Sequence, residues 1–295
     1  VLVNEPRIAG PRLTVPGKIA ERAREIAAGR LTPAVPRDAA TVMLLRDGPG
    51  VEVYLLRRTA AMDFAPGACV FPGGSVDEPD ADPEIAWGGP APAEVADRLG
   101  TSPERARALV CAAIRETFEE SGVLLAGPSL AAVVDDSAAL AQDRHALLVG
   151  ETSFGELLGR LGLMLRADLL APWGRWITPE ALPRRFDTWF FAAALPPGQT
   201  AALAAPAELQ DRAEHEGRTD HREADSATWL RPAAALESAR AGQIRLLPPT
   251  AVTLGELAED DSVTGILAQR RVLTLRLPKV MTDGKQAWLA MPHQL

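Results

Sequence analysis

The sequence predicts an α/β protein, and three observations carry that expectation. Residues 39–46 ("AATVMLLR") and 51–58 ("VEVYLLRR") are apolar, β-branched runs separated by "DGPG", the pattern of a β-hairpin. A capped, alanine-rich helix is expected over about 102–121, and strand-like pieces return after it at 175–179 and 184–195.

The elements follow in order along the chain. Residues 1–38 read as an N-terminal extension ending in charged, helix-like sequence, and 39–295 as a single domain. After the hairpin, "ACVFPGG" (68–74) is a third extended piece that ends in a Pro-Gly-Gly break, where the backbone turns sharply or approaches something closely. Residues 75–100 are acidic and rich in Pro, Gly and Ala, and read as an irregular insertion with one short helix at 93–99. "TSPE" then supplies a capping box, Thr101 with Glu104, and a proline in the first turn of the long helix; Gly122 stands where a left-handed terminating residue belongs. A second insertion, about 129–162, is Ala/Leu-rich and reads as helical, with a capping box at Ser153 and Glu156. "ATWLRPAAALESARAG" from Ala227 reads as a strand end and a helix, and "RRVLTLRLP" with "AWLAMP" as a last hairpin around "DGK".

Composition narrows the function classes. The 295 residues, 47% hydrophobic and 24% charged, are those of an ordinary globular protein, and no apolar run reaches the roughly 20 residues that cross a bilayer. The N-terminus has no apolar run of signal-peptide length, so a cytoplasmic protein is expected. A net charge of −8 leaves no footprint for a nucleic-acid polymer, although an acidic protein takes a small anionic substrate when a divalent cation stands between them. Cys69 and Cys111 lie in apolar surroundings without metal-ligand spacing and read as reduced core residues.

The stretch with chemical content is "RETFEESGV", Arg115 to Val123. At about 100° per residue, Glu116, Glu119 and Glu120 share one helix face, opposite Val110, Cys111, Ile114, Thr117 and Phe118. Ala108 and Ala112 lie on the carboxylate side, so nothing bulky obstructs it. Like charges at this spacing repel, and the helix C-terminus disfavours anions; both effects ask for a counter-ion. Arg115 precedes Glu119 in the less favourable order for helix support, which suggests that it orients a carboxylate. Hard oxygen ligands imply Mg²⁺ or Mn²⁺, completed by substrate phosphates.

"FPGG" followed by "RETFEESGV" resembles the Nudix box. Gly74 looks like its leading glycine, and Arg115, Glu116, Glu119, Glu120, Gly122 and Val123 match its second half in register, with Thr117 in an aliphatic slot. Gly74 and Arg115 are 41 positions apart where the family pattern gives 14, so 27 residues are inserted, and Arg107 stands where the family has a glutamate. The split box, with "WITP" and "RRFDTWFFAA", is similar to the branch that includes peroxisomal CoA diphosphatases. The resemblance implies an α/β/α sandwich around a mixed β-sheet with helical insertions. It also implies water attack on a nucleoside diphosphate derivative, with CoA or an acyl-CoA expected first and ADP-ribose, NADH or a non-catalytic nucleotide sensor as alternatives. By position, Glu116, Glu119, Glu120 and the Gly73 carbonyl would hold Mg²⁺ or Mn²⁺, and Arg115 would fix a carboxylate. Glu116 or Glu120 is the expected proton acceptor, with Glu223 as the alternative. A homodimer is expected by family analogy.

The remaining candidates are weighed against plain packing. Arg57, Arg58, Arg184 and Arg185 end strand-like segments and, with Gly74, are candidates for substrate phosphates. His215 and His221 read as exposed loop residues, Trp173, Trp176, Trp189 and Trp229 as core aromatics, and Met62 and Phe64 as packing.

Overall fold

A computed structural model describes residues 13–59, 65–204, 224–283 and 286–291. They form two compact units: one within 1–37, 176–187 and 275–295, the other within 38–175 and 188–274. The sequence reading had placed 176–187 and 275–295 with the larger domain.

In chain order, β1 (Leu13–Thr14), α1 (Gly17–Ala27), β2 (Arg37–Gly48), β3 (Gly50–Arg58), β4 (Ala68–Val70) and β5 (Gly73–Ser75) lead into the first insertion. It holds a 3₁₀ turn (Glu78–Ala81), β6 (Trp87–Gly88) and α2 (Pro92–Leu99). Then come α3 (Pro103–Ser121), β7 (Ala126–Gly127), α4 (Ala141–Leu148), α5 (Phe154–Leu161), β8 (Met164–Arg166), β9 (Ala171–Ile177) and β10 (Phe186–Ala194). The chain closes with β11 (Ala224–Leu230), α6 (Pro232–Arg240), β12 (Arg245–Leu246), α7 (Pro248–Leu257), α8 (Val263–Ala268), β13 (Leu275–Arg276), β14 (Lys279–Thr282) and β15 (Ala287–Ala290).

In the smaller unit, β1, β15 and β14 form an antiparallel sheet. The expected last hairpin is therefore present, but its first strand starts at Lys279, after "RRVLTLRLP".

The larger unit is built on a mixed sheet ordered β12-β4-β3-β2-β10-β9, with β11 also on β3 and β5 also on β2. The predicted hairpin pairs Leu45 with Val53 and Gly48 with Gly50. Beyond Val53 its arms separate: β4 pairs with β3 (Leu56 with Val70) and β5 with β2 (Thr41 with Gly73). The chain from Ala68 to Ser75 is thus inserted between the two arms, and its Pro-Gly-Gly break marks the crossing from one to the other.

Helix α3 lies over this sheet. Leu109, Val110, Ile114 and Phe118 pack with Val42, Leu44, Tyr54, Leu56, Trp189 and Phe191 in one core, each fully buried large side chain contributing about 1.5–3 kcal/mol. The helix starts one residue later than expected. Ser102, not Thr101, is its N-cap, accepting from Arg105 N at 3.3 Å. It ends as expected, with Gly122 left-handed (φ 71°) and its N–H donating to Phe118 O at 2.8 Å.

The second insertion is helical only in part. Residues 129–136 are not helix, because their carbonyls are taken by side chains: Arg166 donates to Ser129 O and Ala132 O, and Gln199 to Val134 O. The helices are α4 and α5, and α5 has the predicted capping box of Ser153 and Glu156.

Candidate metal and diphosphate site

The strand break and the glutamate helix meet. Gly73 N–H donates to Glu120 Oε2 at 2.7 Å, across 47 positions of sequence. A Cβ on Gly73, whose φ is +153°, would lie 2.7 Å from Thr41 Cα; one on Gly74 would lie 2.5 Å from Glu116 Cδ. Gly73 therefore demands glycine for its backbone and its neighbour strand, and glycine at 74 lets the Glu116 carboxylate close on the main chain.

Arg115 organises the acids. Its Nη1 donates to Glu116 Oε1 at 2.9 Å and to Glu119 Oε1 at 3.2 Å. Its Nε and Nη2 make a bidentate pair with Asp80, both at 2.9 Å, and Nη2 also donates to Ser75 O and approaches Asp77 at 3.5 Å. Burial alone would lower the pKa of this guanidinium; the Asp80 bonds and the charges of Glu116 and Glu119 more than offset it and raise it above the ordinary arginine value. The sequence-based expectation that Arg115 orients a carboxylate understates its reach.

The carboxylate face is also less open than expected. Glu116 and Glu119 are each only 12% exposed, and Ala108 and Ala112 are buried. The first insertion packs α2 and the 3₁₀ turn against α3, and Gly74 of β5 lies against the Glu116 carboxylate. Thr117 fits its aliphatic slot because its hydroxyl donates to Ala113 O within the helix.

The C-terminal end of α3 is held by a residue that the sequence reading missed. Arg144, from α4, donates from Nε and Nη2 to Glu119 O at 3.0 and 2.8 Å, and from Nη2 to Ala202 O at 3.2 Å. A cation on the last carbonyls offsets the dipole that three nearby glutamates oppose. Tyr54, on β3, lies in the fields of Arg144 and Glu120; burial, opposed by the Arg144 charge and aided by the lesser effect of Glu120, leaves its phenol pushed up to about 12.

Among the described residues, no group of three or more His, Cys, Asp or Glu side chains forms a ready metal cage. The donor set nevertheless fits Mg²⁺ or Mn²⁺, which bind through few carboxylates and complete their shell with water and substrate oxygens. Glu116 and Glu119 meet at one guanidinium nitrogen, and Glu120 meets the adjacent strand, so all three acids border the same strand–helix junction.

Other candidates fall elsewhere. Glu223, His215, His221, Met62 and Phe64 lie outside the described residues. Arg58 is half-buried at the end of β3, where β11 pairs with it. Arg184 and Arg185 belong to the smaller unit; Arg184 is exposed, 6.0 Å from the Phe186 ring centroid, while Arg185 is buried and donates to Thr178 O and Ala34 O. Arg57 faces Asp225 at 3.6 Å. Trp173, Trp176 and Trp189 are buried, as read, and Trp229 is half-buried with Arg46 at 4.3 Å over its ring. Cys69 and Cys111 are buried free thiols.

A mixed sheet whose inserted glycine strand closes on a three-glutamate helix defines a Nudix-type fold. The model of the NUDT19 Nudix domain matches residues 90–257. The acyl-coenzyme A diphosphatase NUDT19 of Gallus gallus is 27% identical over 279 residues, covering 78% of this chain and 70% of that protein. Its Xenopus laevis counterpart is 30% identical over 242 residues, covering 70% of this chain and 59% of that protein, so a substantial part of each relative has no counterpart in the match. Among solved structures, a NUDIX hydrolase from Alicyclobacillus acidocaldarius superposes with a TM-score of 0.62 at 27% identity, covering 82% of this chain and 99% of that one. The chain belongs to the Nudix family, in the group described by the NUDT19 Nudix domain.

Proposed function

We propose that this Nudix chain is a diphosphohydrolase that cleaves the diphosphate linkage of coenzyme A or an acyl-coenzyme A with Mg²⁺, or Mn²⁺ in its place. The observation that carries the reading is the closure of the glycine strand on the glutamate helix, Gly73 N–H to Glu120 and Gly74 against Glu116. Two similar proteins named as acyl-coenzyme A diphosphatases support the substrate class.

In this reading Glu116, Glu119, Glu120 and the Gly73 carbonyl hold the metal. A bound divalent ion would polarise the diphosphate oxygens and lower the pKa of the attacking water. Arg115 keeps Glu116 and Glu119 together, an arrangement their mutual repulsion would otherwise spread. Glu116 or Glu120 accepts the water's proton, and Arg58 and Gly74 contact the substrate. Arg185 serves packing through its two carbonyl bonds. No described helix is long and apolar enough to cross a membrane. We also propose action in the cytoplasm as a homodimer, on composition and family analogy.

The test is product analysis with Mg²⁺ and a panel of CoA, acyl-CoA, ADP-ribose, NADH and diadenosine polyphosphates. CoA and acyl-CoA should be turned over best, yielding an adenosine phosphate and a phosphopantetheine. Preferred cleavage of ADP-ribose or NADH would move the substrate class, and binding without turnover of any member would make the chain a nucleotide sensor.

A further inference from the structure

Beneath the last turn of α3 lies a side chain whose polar atom the packing does not explain. Tyr54 is the first residue of β3 beyond its last pairing with β2, where the hairpin arms part to admit the Gly73–Gly74 segment. Its ring packs in one core with Phe118 and Leu56 and stands 5.2 Å from the ring of Trp229, its partner on β11. These contacts fix the ring, and with it the direction of the hydroxyl. That hydroxyl is buried, on a residue only 2% exposed, and has no hydrogen-bond partner among the described residues. Phenylalanine would fill the same space without burying a donor, so packing accounts for the ring but not for the oxygen.

Arg144 and Glu120 are charges that act on this phenol. With its ionisation pushed up to about 12, the phenol is a donor at neutral pH and needs an acceptor. Arg144 offers none: it is a cation, and it donates to Glu119 O and Ala202 O. Glu120 is a carboxylate, and its Oε2 takes the Gly73 N–H at 2.7 Å, which holds it on the segment that enters the fork. No described group lies within bonding distance of the hydroxyl, so a link between the two runs through a water. We infer that Tyr54 is a positioning residue for Glu120: its hydroxyl donates to a water that the Glu120 carboxylate also binds, and so steadies from β3 the same acid that Gly73 holds from β5. The inference rests on the metal-holding role proposed above for Glu120.

The experiment compares wild type with Tyr54→Phe and also reads Tyr54 itself by ultraviolet resonance Raman, where the chain's one tyrosine is the source of every tyrosine band. Mn²⁺ affinity is measured by electron paramagnetic resonance without substrate, kcat and KM with an acyl-CoA and Mg²⁺, and folding by thermal melts. Tyr54→Phe should bind Mn²⁺ about tenfold more weakly and lose about tenfold in kcat, the lower end of what removing an outer partner of a ligand costs, while KM stays within about threefold and Tm at neutral pH is unchanged. In wild type the Raman bands of the ring should be those of a hydrogen-bond donor. Glu120→Gln should weaken that donation, because an amide oxygen accepts less strongly than a carboxylate. A folded Tyr54→Phe with wild-type Mn²⁺ affinity and kcat overturns the inference, and so does a Tyr54 signal that Glu120→Gln leaves unchanged; the Raman comparison decides if Tyr54→Phe does not fold. Wild type that binds no Mn²⁺ would instead overturn the metal reading itself, and the role of Tyr54 with it.

Discussion

At the scale of single residues the site is set by contacts that tolerate little change. Gly74→Ala would put a methyl group 2.5 Å from Glu116 Cδ, so the carboxylate must leave the strand. Activity should fall by at least about tenfold while the melting temperature changes little, because the displaced side chain is not core. Arg115→Met would leave Asp80 buried without its cation, and urea unfolding should show a loss of about 3–5 kcal/mol. Tyr54 gives a pH test. Its phenol, raised by burial to about 12 against about 10 in an unfolded chain, favours the neutral form in the fold. The stabilisation is complete below about pH 10 and is lost as pH rises toward the native value, since the unfolded chain then binds fewer protons. Tyr54 is the chain's one tyrosine, so its ultraviolet ionisation spectrum reports the native titration directly. Tyr54→Phe should flatten the alkaline fall in Tm and cost little at neutral pH, because the hydroxyl is buried without a hydrogen-bond partner among the described residues. The glutamates were legible because helical geometry puts them on one face whatever surrounds them. Asp80 was not, since in "SVDEPDADPE" it is one acid among several and only the fold buries it.

At the scale of elements, α3 depends on both insertions. The first sends Asp80 to Arg115, and the second sends Arg144 to its last carbonyls. Arg144→Met should lower stability by about 1.5–3 kcal/mol in chemical unfolding, the range for hydrogen bonds to a charged group, and a lysine there should recover only part of it, because it lacks the planar fork. The hairpin, the strand break and the long helix were readable from turn residues, β-branched runs and caps, which act over a few positions. The shift of the cap from Thr101 to Ser102 shows the limit: two adjacent hydroxyls before a proline offer the same chemistry, and backbone geometry chooses. Residues 129–136 read as helix from composition, yet distant Arg166 and Gln199 claim their carbonyls, a tertiary effect that no local pattern carries.

At the scale of the whole molecule, the α/β fold followed from the order of strand and helix signals. The grouping of 176–187 and 275–295 with the N-terminal piece did not, because it depends on pairings such as β1 with β15 between the chain's opposite ends. Cys69 and Cys111 both lie in the larger unit, and burial raises both thiol pKa values. Neither should react with a thiol reagent until the larger unit unfolds, so labelling in urea should follow the same transition as the loss of secondary structure. The central claim, that the Gly73–Gly74 strand and the Glu116, Glu119 and Glu120 face form a metal-dependent diphosphatase site, is tested most directly by hydrolysing an acyl-CoA in heavy-oxygen water with Mg²⁺. Wild type should place the label in a phosphate product, and the double variant Glu119→Gln, Glu120→Gln should lose at least about 100-fold in rate while remaining folded. Label in a released carboxylic acid, or a double variant at the wild-type rate, would contradict it.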